Sequence, residues 1–136
     1  MIKIIMSIGL LLSINLSASL FDDGLAEYKK GNIKLASELY TEACDVGDKQ
    51  ACLNLGIMYF TGDGVEQDKI KAKELFTKTC KSRFAKGCFR LAIIYNQGCD
   101  GVKQDKLKAK LLFGKSCNIG YQRACEQFHI LDEKGI

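Results

Sequence analysis

The chain has 136 residues, room for one ordinary domain. Apolar residues make up 47% and charged residues 26%, a globular balance that excludes a disordered or acidic solvating chain. There is no proline, which excludes collagen and polyproline segments, and a net charge of +4 is too mild to call for nucleic acid. Seven cysteines in so short a chain are the informative count. In an exported protein they read as a disulfide framework, in a cytosolic one as metal ligands or catalytic thiols.

The N-terminus speaks for export. Lys3 is a short positive region, Ile4 to Leu12 is an uncharged apolar run, and Ser17-Ala18-Ser19 supplies the small residues of a cleavage site. The run is shorter than the roughly 20 residues a membrane-spanning helix needs. Residues 1–19 are therefore expected to be a signal peptide, with residues 20–136 as the exported domain, secreted or periplasmic, without a membrane span after cleavage.

The rest of the chain repeats itself. NIKLASELYTEACDVGDKQAC (32–52), DKIKAKELFTKTCKSRFAKGC (68–88) and DKLKAKLLFGKSCNIGYQRAC (105–125) stand at offsets of 36 and 37 residues. Matched sets include Ile33, Ile70 and Leu107; Ala36, Ala72 and Ala109; Leu39, Leu75 and Leu112; and Tyr40, Phe76 and Phe113. Between the blocks an apolar stretch ends in Tyr59 or Tyr95, followed by a glycine turn and Gly-Val-x-Gln-Asp. Each repeat reads as two helices. Helix A spans about 51–61 and 88–97; helix B spans about 69–81 and 106–118, N-capped by Asp68 and Asp105. In helix B, Ile70, Ala72, Leu75, Phe76 and Thr79 form one apolar stripe with lysines opposite. Helix A is apolar nearly all round (Leu53, Leu55, Ile57, Met58, Phe60) and must lie between neighbours. The repeats run about 21–49, 50–86 and 87–123. The first copy lacks the five-residue loop, and residues 124–136 form a lone capping helix with Asp132 at the tyrosine position, a polar outer end. The fold class is all-α, an α/α superhelical solenoid stapled by disulfides.

Cys44 and Cys52, Cys80 and Cys88, and Cys117 and Cys125 share one spacing. Each pair joins the end of a helix B to the start of the next helix A, points that a tight antiparallel turn brings within disulfide reach. Zinc ligands favour shorter spacings and histidines, and His129 is the single histidine, so no metal and no other cofactor is expected. The dithiol motif Cys-x-x-Cys of redox enzymes is absent. Cys99, at a one-residue insertion in the second loop, is left over: an exposed free thiol or an intermolecular link in a dimer.

Leu55-Gly56-x-x-Tyr59-x-x-Gly62-x-Gly64-Val65-x-x-Asp68-x-x-x-Ala72 resembles the Sel1-like repeat, a relative of the tetratricopeptide repeat, and recurs from Leu91 through Ala109 with Ala92 in place of the glycine. With Cys-x7-Cys in every repeat behind a signal peptide, the chain is similar to the Helicobacter cysteine-rich protein family. That resemblance implies an exported penicillin-binding protein with slow β-lactamase activity, a hydrolase of β-lactams or cell-wall-derived amides. The residues supply no mechanism for it. Ser37, Ser82 and Ser116 are followed three positions on by Tyr40, Ala85 and Ile119, none the lysine a serine β-lactamase uses, and no Gly-x-Ser-x-Gly elbow is present. The alternative is a non-enzymatic scaffold for a protein or peptide, with Asn54, Arg90 and Asn96 as binding candidates because they are polar on apolar helices. Lys71, Lys73, Lys108 and Lys110 offer charge to an acidic partner or form a solvated face.

Overall fold

A computed structural model describes the backbone of residues 2–136 and the side chains of residues 15–136. The apolar run Ile4 to Leu12 of the expected signal peptide thus lies outside the described side chains. Seven helices follow in chain order: α1 (Ile2–Lys29), α2 (Ile33–Asp45), α3 (Lys49–Thr61), α4 (Lys69–Lys81), α5 (Ala85–Gln97), α6 (Lys106–Asn118) and α7 (Gln122–Glu133). Each helix packs chiefly against its neighbours in the chain, as in a solenoid. The expected bounds of α4 and α6 agree with the structure. The A-type helices begin two or three residues earlier than the periodicity implied, because the turns after α2 and α4 are tighter. Asp48 caps α3, its Oδ1 accepting from the Ala51 amide at 2.8 Å.

The repeating blocks take their expected places. Asp68 and Asp105 adopt extended backbone angles, and each side chain accepts from an amide three residues on, Lys71 and Lys108, at 2.9 Å. The Gly-Val-x-Gln-Asp segment closes on the helix it leaves. The amides of Asp68 and Asp105 donate to the carbonyls of Tyr59 and Tyr95 at 2.8 Å. Gln67 Nε2 and Gln104 Nε2 donate to the carbonyls of Phe60 and Asn96 at 2.9 and 2.8 Å. So the glutamine's presence in both loops has a structural cause.

Three core clusters succeed one another along the stack. The first centres on Ala36, Tyr40, Leu55 and Met58, the second on Ala72, Phe76, Leu91 and Ile94, and the third on Ala92, Ala109, Phe113 and Ala124. Gly56 faces Phe76 so closely that a Cβ would stand 2.6 Å from Cε1 of the ring. Three disulfides staple the turns from each B helix to the next A helix: Cys44–Cys52, Cys80–Cys88 and Cys117–Cys125, with Cα atoms 4.4 to 4.7 Å apart.

The register differs from the expected one at Ile33. An offset of 36 puts Ile33 opposite Lys69 rather than Ile70. Ile33 nevertheless does the work of Ile70: each packs a methyl under the glycine of the following loop, Ile33 under Gly64 and Ile70 under Gly101. Ile70 is accordingly at the edge of the stripe, 38% exposed, and Leu107 is 60% exposed. Asp132 is paired with Lys110 at 2.6 Å, and Leu111 on α6 is 66% exposed. Among the described residues no helix is long and apolar enough to cross a membrane.

Candidate functional site: a groove along the A helices

Helices α1, α3, α5 and α7 hold equivalent positions in the stack, so one residue position recurs along one surface. Asn54 on α3 lies in a hollow of about 210 Å³ with Leu25, Tyr28, Tyr40, Ile57 and Asp63. Arg90, its equivalent on α5, lies in a matching hollow of about 180 Å³ with Ile57, Phe60, Phe76 and Ile93. The two hollows share Ile57 and Thr61 and so form one groove. Ile57 and Ile93 occupy the same repeat position, half-buried in the floor. On α7 that position is Ile130, 42% exposed, and the position of Asn54 and Arg90 is Gln127. The groove thus pairs an isoleucine row with a row of amide and guanidinium groups. That is a surface able to seat apolar side chains and bind backbone amides.

The polar atoms at one end are held in place. Asn54 Oδ1 accepts from Gln50 Nε2 at 3.0 Å. Burial raises the Tyr40 phenol above its ordinary pKa, and a hydrogen bond with Asn54 offsets part of that. Tyr28 Oη donates to Asp63 Oδ2 at 2.8 Å, tying α1 to the loop after α3 at the mouth of the hollow. This hydrogen bond, with the carboxylate's charge, raises the Tyr28 pKa.

Asn96 is not brought to this groove. It stands at the Phe60 position near the end of α5, where its carbonyl accepts from Gln104. The isoleucine row is apolar and Gln127 lies on the more polar α7, so neither stands out as a polar residue on an apolar helix. Applying the offsets of 36 and 37 to α3 would have shown both.

The remaining candidates have other surroundings. Lys71 Nζ lies 4.4 Å over the Tyr59 ring and Lys108 Nζ 4.3 Å over the Tyr95 ring, an arrangement copied from one repeat to the next. A hydrogen bond with Tyr59 raises the Lys71 pKa, against a smaller desolvation effect. Lys110 holds Asp132, whose pKa that hydrogen bond lowers, and Lys73 lines a depression with Tyr95. Cys99 is half-buried; its amide and carbonyl pair with Val102 at 3.0 and 2.8 Å. His129 is exposed on α7, its ring 5.7 Å from that of Phe128. Ser37, Ser82 and Ser116 donate to the carbonyls of Lys34, Lys78 and Ala85 at 2.7, 3.1 and 2.7 Å. Ser37 and Ser116 are buried, and none of the three hydroxyls donates to a side-chain base in these bonds.

The Sel1 repeat pattern fits residues 13–48, 49–83 and 85–121, most of the chain. The chain belongs to the Sel1 repeat family. It is also similar to Helicobacter cysteine-rich proteins. Against the solved structure of cysteine rich protein B of Helicobacter pylori the TM-score is 0.62 at 28% identity, covering 67% of this chain and 68% of that one. HcpC of Helicobacter pylori, provisionally named a beta-lactamase, is 36% identical over 44 residues, 32% of this chain and 15% of HcpC. Cytochrome c oxidase assembly factor 7 of Xenopus tropicalis is 32% identical over 72 residues, 49% of this chain and 31% of that protein. The matched stretches thus span less than a third of these two relatives' own length.

Proposed function

We propose that this Sel1 repeat protein is an extracytoplasmic binding scaffold whose A-helix groove holds an extended peptide. The observation that carries the reading is the continuous groove from Asn54 to Arg90, floored by Ile57 and Ile93, on a stack rigidified by three disulfides. Stacked helix pairs present such surfaces to extended ligands. The intramolecular disulfides and the likeness to the Helicobacter cysteine-rich proteins favour an oxidising compartment. Residues 1–19 are the leader in this account. Ser17 is half-buried and the rest of residues 15–19 are solvent-facing, whereas Leu20 and Phe21 are, among the described residues, the first side chains packed on the core of α2 and α3. The exported form acts as a monomer, with Cys99 as a shielded thiol.

The test is selection from a random peptide library on the oxidised protein, counter-selected on Ile57→Asp/Ile93→Asp. The reading expects peptides that bind the wild type at least tenfold more tightly than the double variant. Recovery of no saturable binder, or of binders indifferent to both substitutions, would contradict it.

Hydrolysis of β-lactams is the rival reading, favoured by the name of HcpC. The engaged hydroxyls of Ser37, Ser82 and Ser116 count against it. Nitrocefin added to oxidised protein is expected to turn over no faster than with a heat-denatured control. Saturable turnover that tracks the intact disulfides would reverse the preference.

A further inference from the structure

In a repeat protein each position has an internal standard: the residue the other copies carry. Four departures from that standard meet at one cavity of about 790 Å³ between α6, α7 and the turn after α4. Leu111 stands where the earlier copies have Glu38 and Glu74. Gly114 stands where they have Thr41 and Thr77, and Phe128 where α3 and α5 have Leu55 and Leu91. Arg83 stands at a turn position that is Gly47 and Gly120 in the other copies.

Two of these break a local rule. Arg83 has φ +59, the left-handed region its glycine counterparts occupy at +101 and +107, and it is the one described non-glycine residue with positive φ. Gly114 lies inside α6, where glycine is a poor helix former. Its missing side chain has a use: a Cβ there would come within 3.2 Å of the Phe128 ring. Thr→Gly and Leu→Phe are therefore a matched pair that brings an aromatic face over α6. The same place one repeat earlier is a depression of about 640 Å³ presenting Glu74, Thr77 and Ser82 where this one presents Leu111, Gly114 and Ile119. A polar surface depression has become an apolar floor with cations at its rim. Neither Asp nor Glu lines it, and Arg83 and Lys115 are exposed beside it. Strained or helix-weakening residues that converge on one concave site mark function, and the volume suits a small ligand.

We infer that this cavity binds one amphiphilic organic anion. Its apolar body lies on Leu111, Ile119 and Phe128, and its carboxylate or phosphate head sits between Arg83 and Lys115. The site shares no lining residue with the A-helix groove and does not depend on the scaffold reading.

The experiment titrates sodium decanoate, decyl phosphate and the uncharged decanol into ¹⁵N-labelled, oxidised full-length protein and follows the amide shifts. Saturation by decanoate or decyl phosphate is expected, with shifts concentrated at Arg83, Leu111–Ile119 and Phe128, and with decanol at least tenfold weaker. Arg83→Gly and Leu111→Glu restore residues that other copies already carry, so both variants keep the fold, as circular dichroism will verify. Each is expected to weaken the anion at least tenfold. Saturation by neither anion, shifts centred elsewhere, equal binding of decanol, or undiminished binding by both folded variants would overturn the inference.

Discussion

Gly87→Ala sets helix propensity against packing, and the structure says which wins. Gly87 lies in the first turn of α5, where the other repeats carry Ala51 and Ala124. A Cβ at Gly87 would stand 2.7 Å from Thr79 Cβ and 3.0 Å from the Cys80 amide nitrogen, and closer still to Thr79 Oγ1. Thr79 is 1% exposed, so rotation of its hydroxyl relieves only part of the clash. Opposite their alanines the other repeats carry Ala43 and Ser116. Replacing glycine by alanine in a helix gains about 0.5–1 kcal/mol. Overpacking costs about 1–3 kcal/mol, and here it bears on a Cβ and a backbone atom that cannot swing aside. The net expectation is a loss of about 1–2 kcal/mol. Thr79→Ala added to Gly87→Ala recreates the Ala43–Ala51 pair and is expected to recover most of that loss, a coupling of about 1–3 kcal/mol. Urea unfolding of the oxidised wild type, both single variants and the double variant, followed by far-UV circular dichroism, measures all four corners. Gly87→Ala at least as stable as the wild type, or a double variant no better than Gly87→Ala, would refute the packing argument.

Other expectations follow from the same geometry. Each disulfide closes a loop between cysteines eight residues apart, so Cys80→Ala/Cys88→Ala should lose about 2.5 kcal/mol by the chain-entropy estimate; chemical denaturation under oxidising conditions reads this, and an unchanged midpoint would count against the staple. Asp68→Ala and Asp105→Ala each remove a helix cap and should cost about 1 kcal/mol, whereas Asn32→Ala, at a helix start without a side-chain cap bond, should cost less. The raised pKa of Tyr28 means that its clasp to Asp63 is fully present below the ordinary tyrosine value of 10.0 and is lost as pH rises through the raised one. Tyr28→Phe should therefore show a smaller alkaline fall in stability than the wild type between about pH 9 and 12, with a loss at neutral pH below about 1 kcal/mol for so exposed a pair. Wild-type protein and Cys99→Ser should migrate alike as monomers on non-reducing electrophoresis; a dimer band lost in the variant would assign Cys99 to a subunit link.

Much of the fold was legible in the sequence because the repeat supplies its own alignment. The stripe on α4, the caps Asp68 and Asp105, and the cysteine spacing are all local, so the period shows each of them in more than one copy. What escaped depends on residues far apart in the chain. Asn96 looked like a partner of Asn54 and Arg90 because it too is polar on an apolar helix, yet it sits at a different angle on α5. Ile57 reads as one more apolar residue of helix A, yet with Ile93 it lines the groove. Arg83 carries no sequence signal of its own; its left-handed backbone at a glycine position shows only in the structure.

The central claim is that the A-helix groove is the binding surface. The most direct measurement is an amide-shift map of ¹⁵N-labelled, oxidised protein titrated with a library-selected peptide. The account predicts shifts that run along one line through Asn54, Ile57, Arg90 and Ile93, saturating together at one affinity. Saturating shifts confined to the lysine-rich faces of α4 and α6 would contradict it.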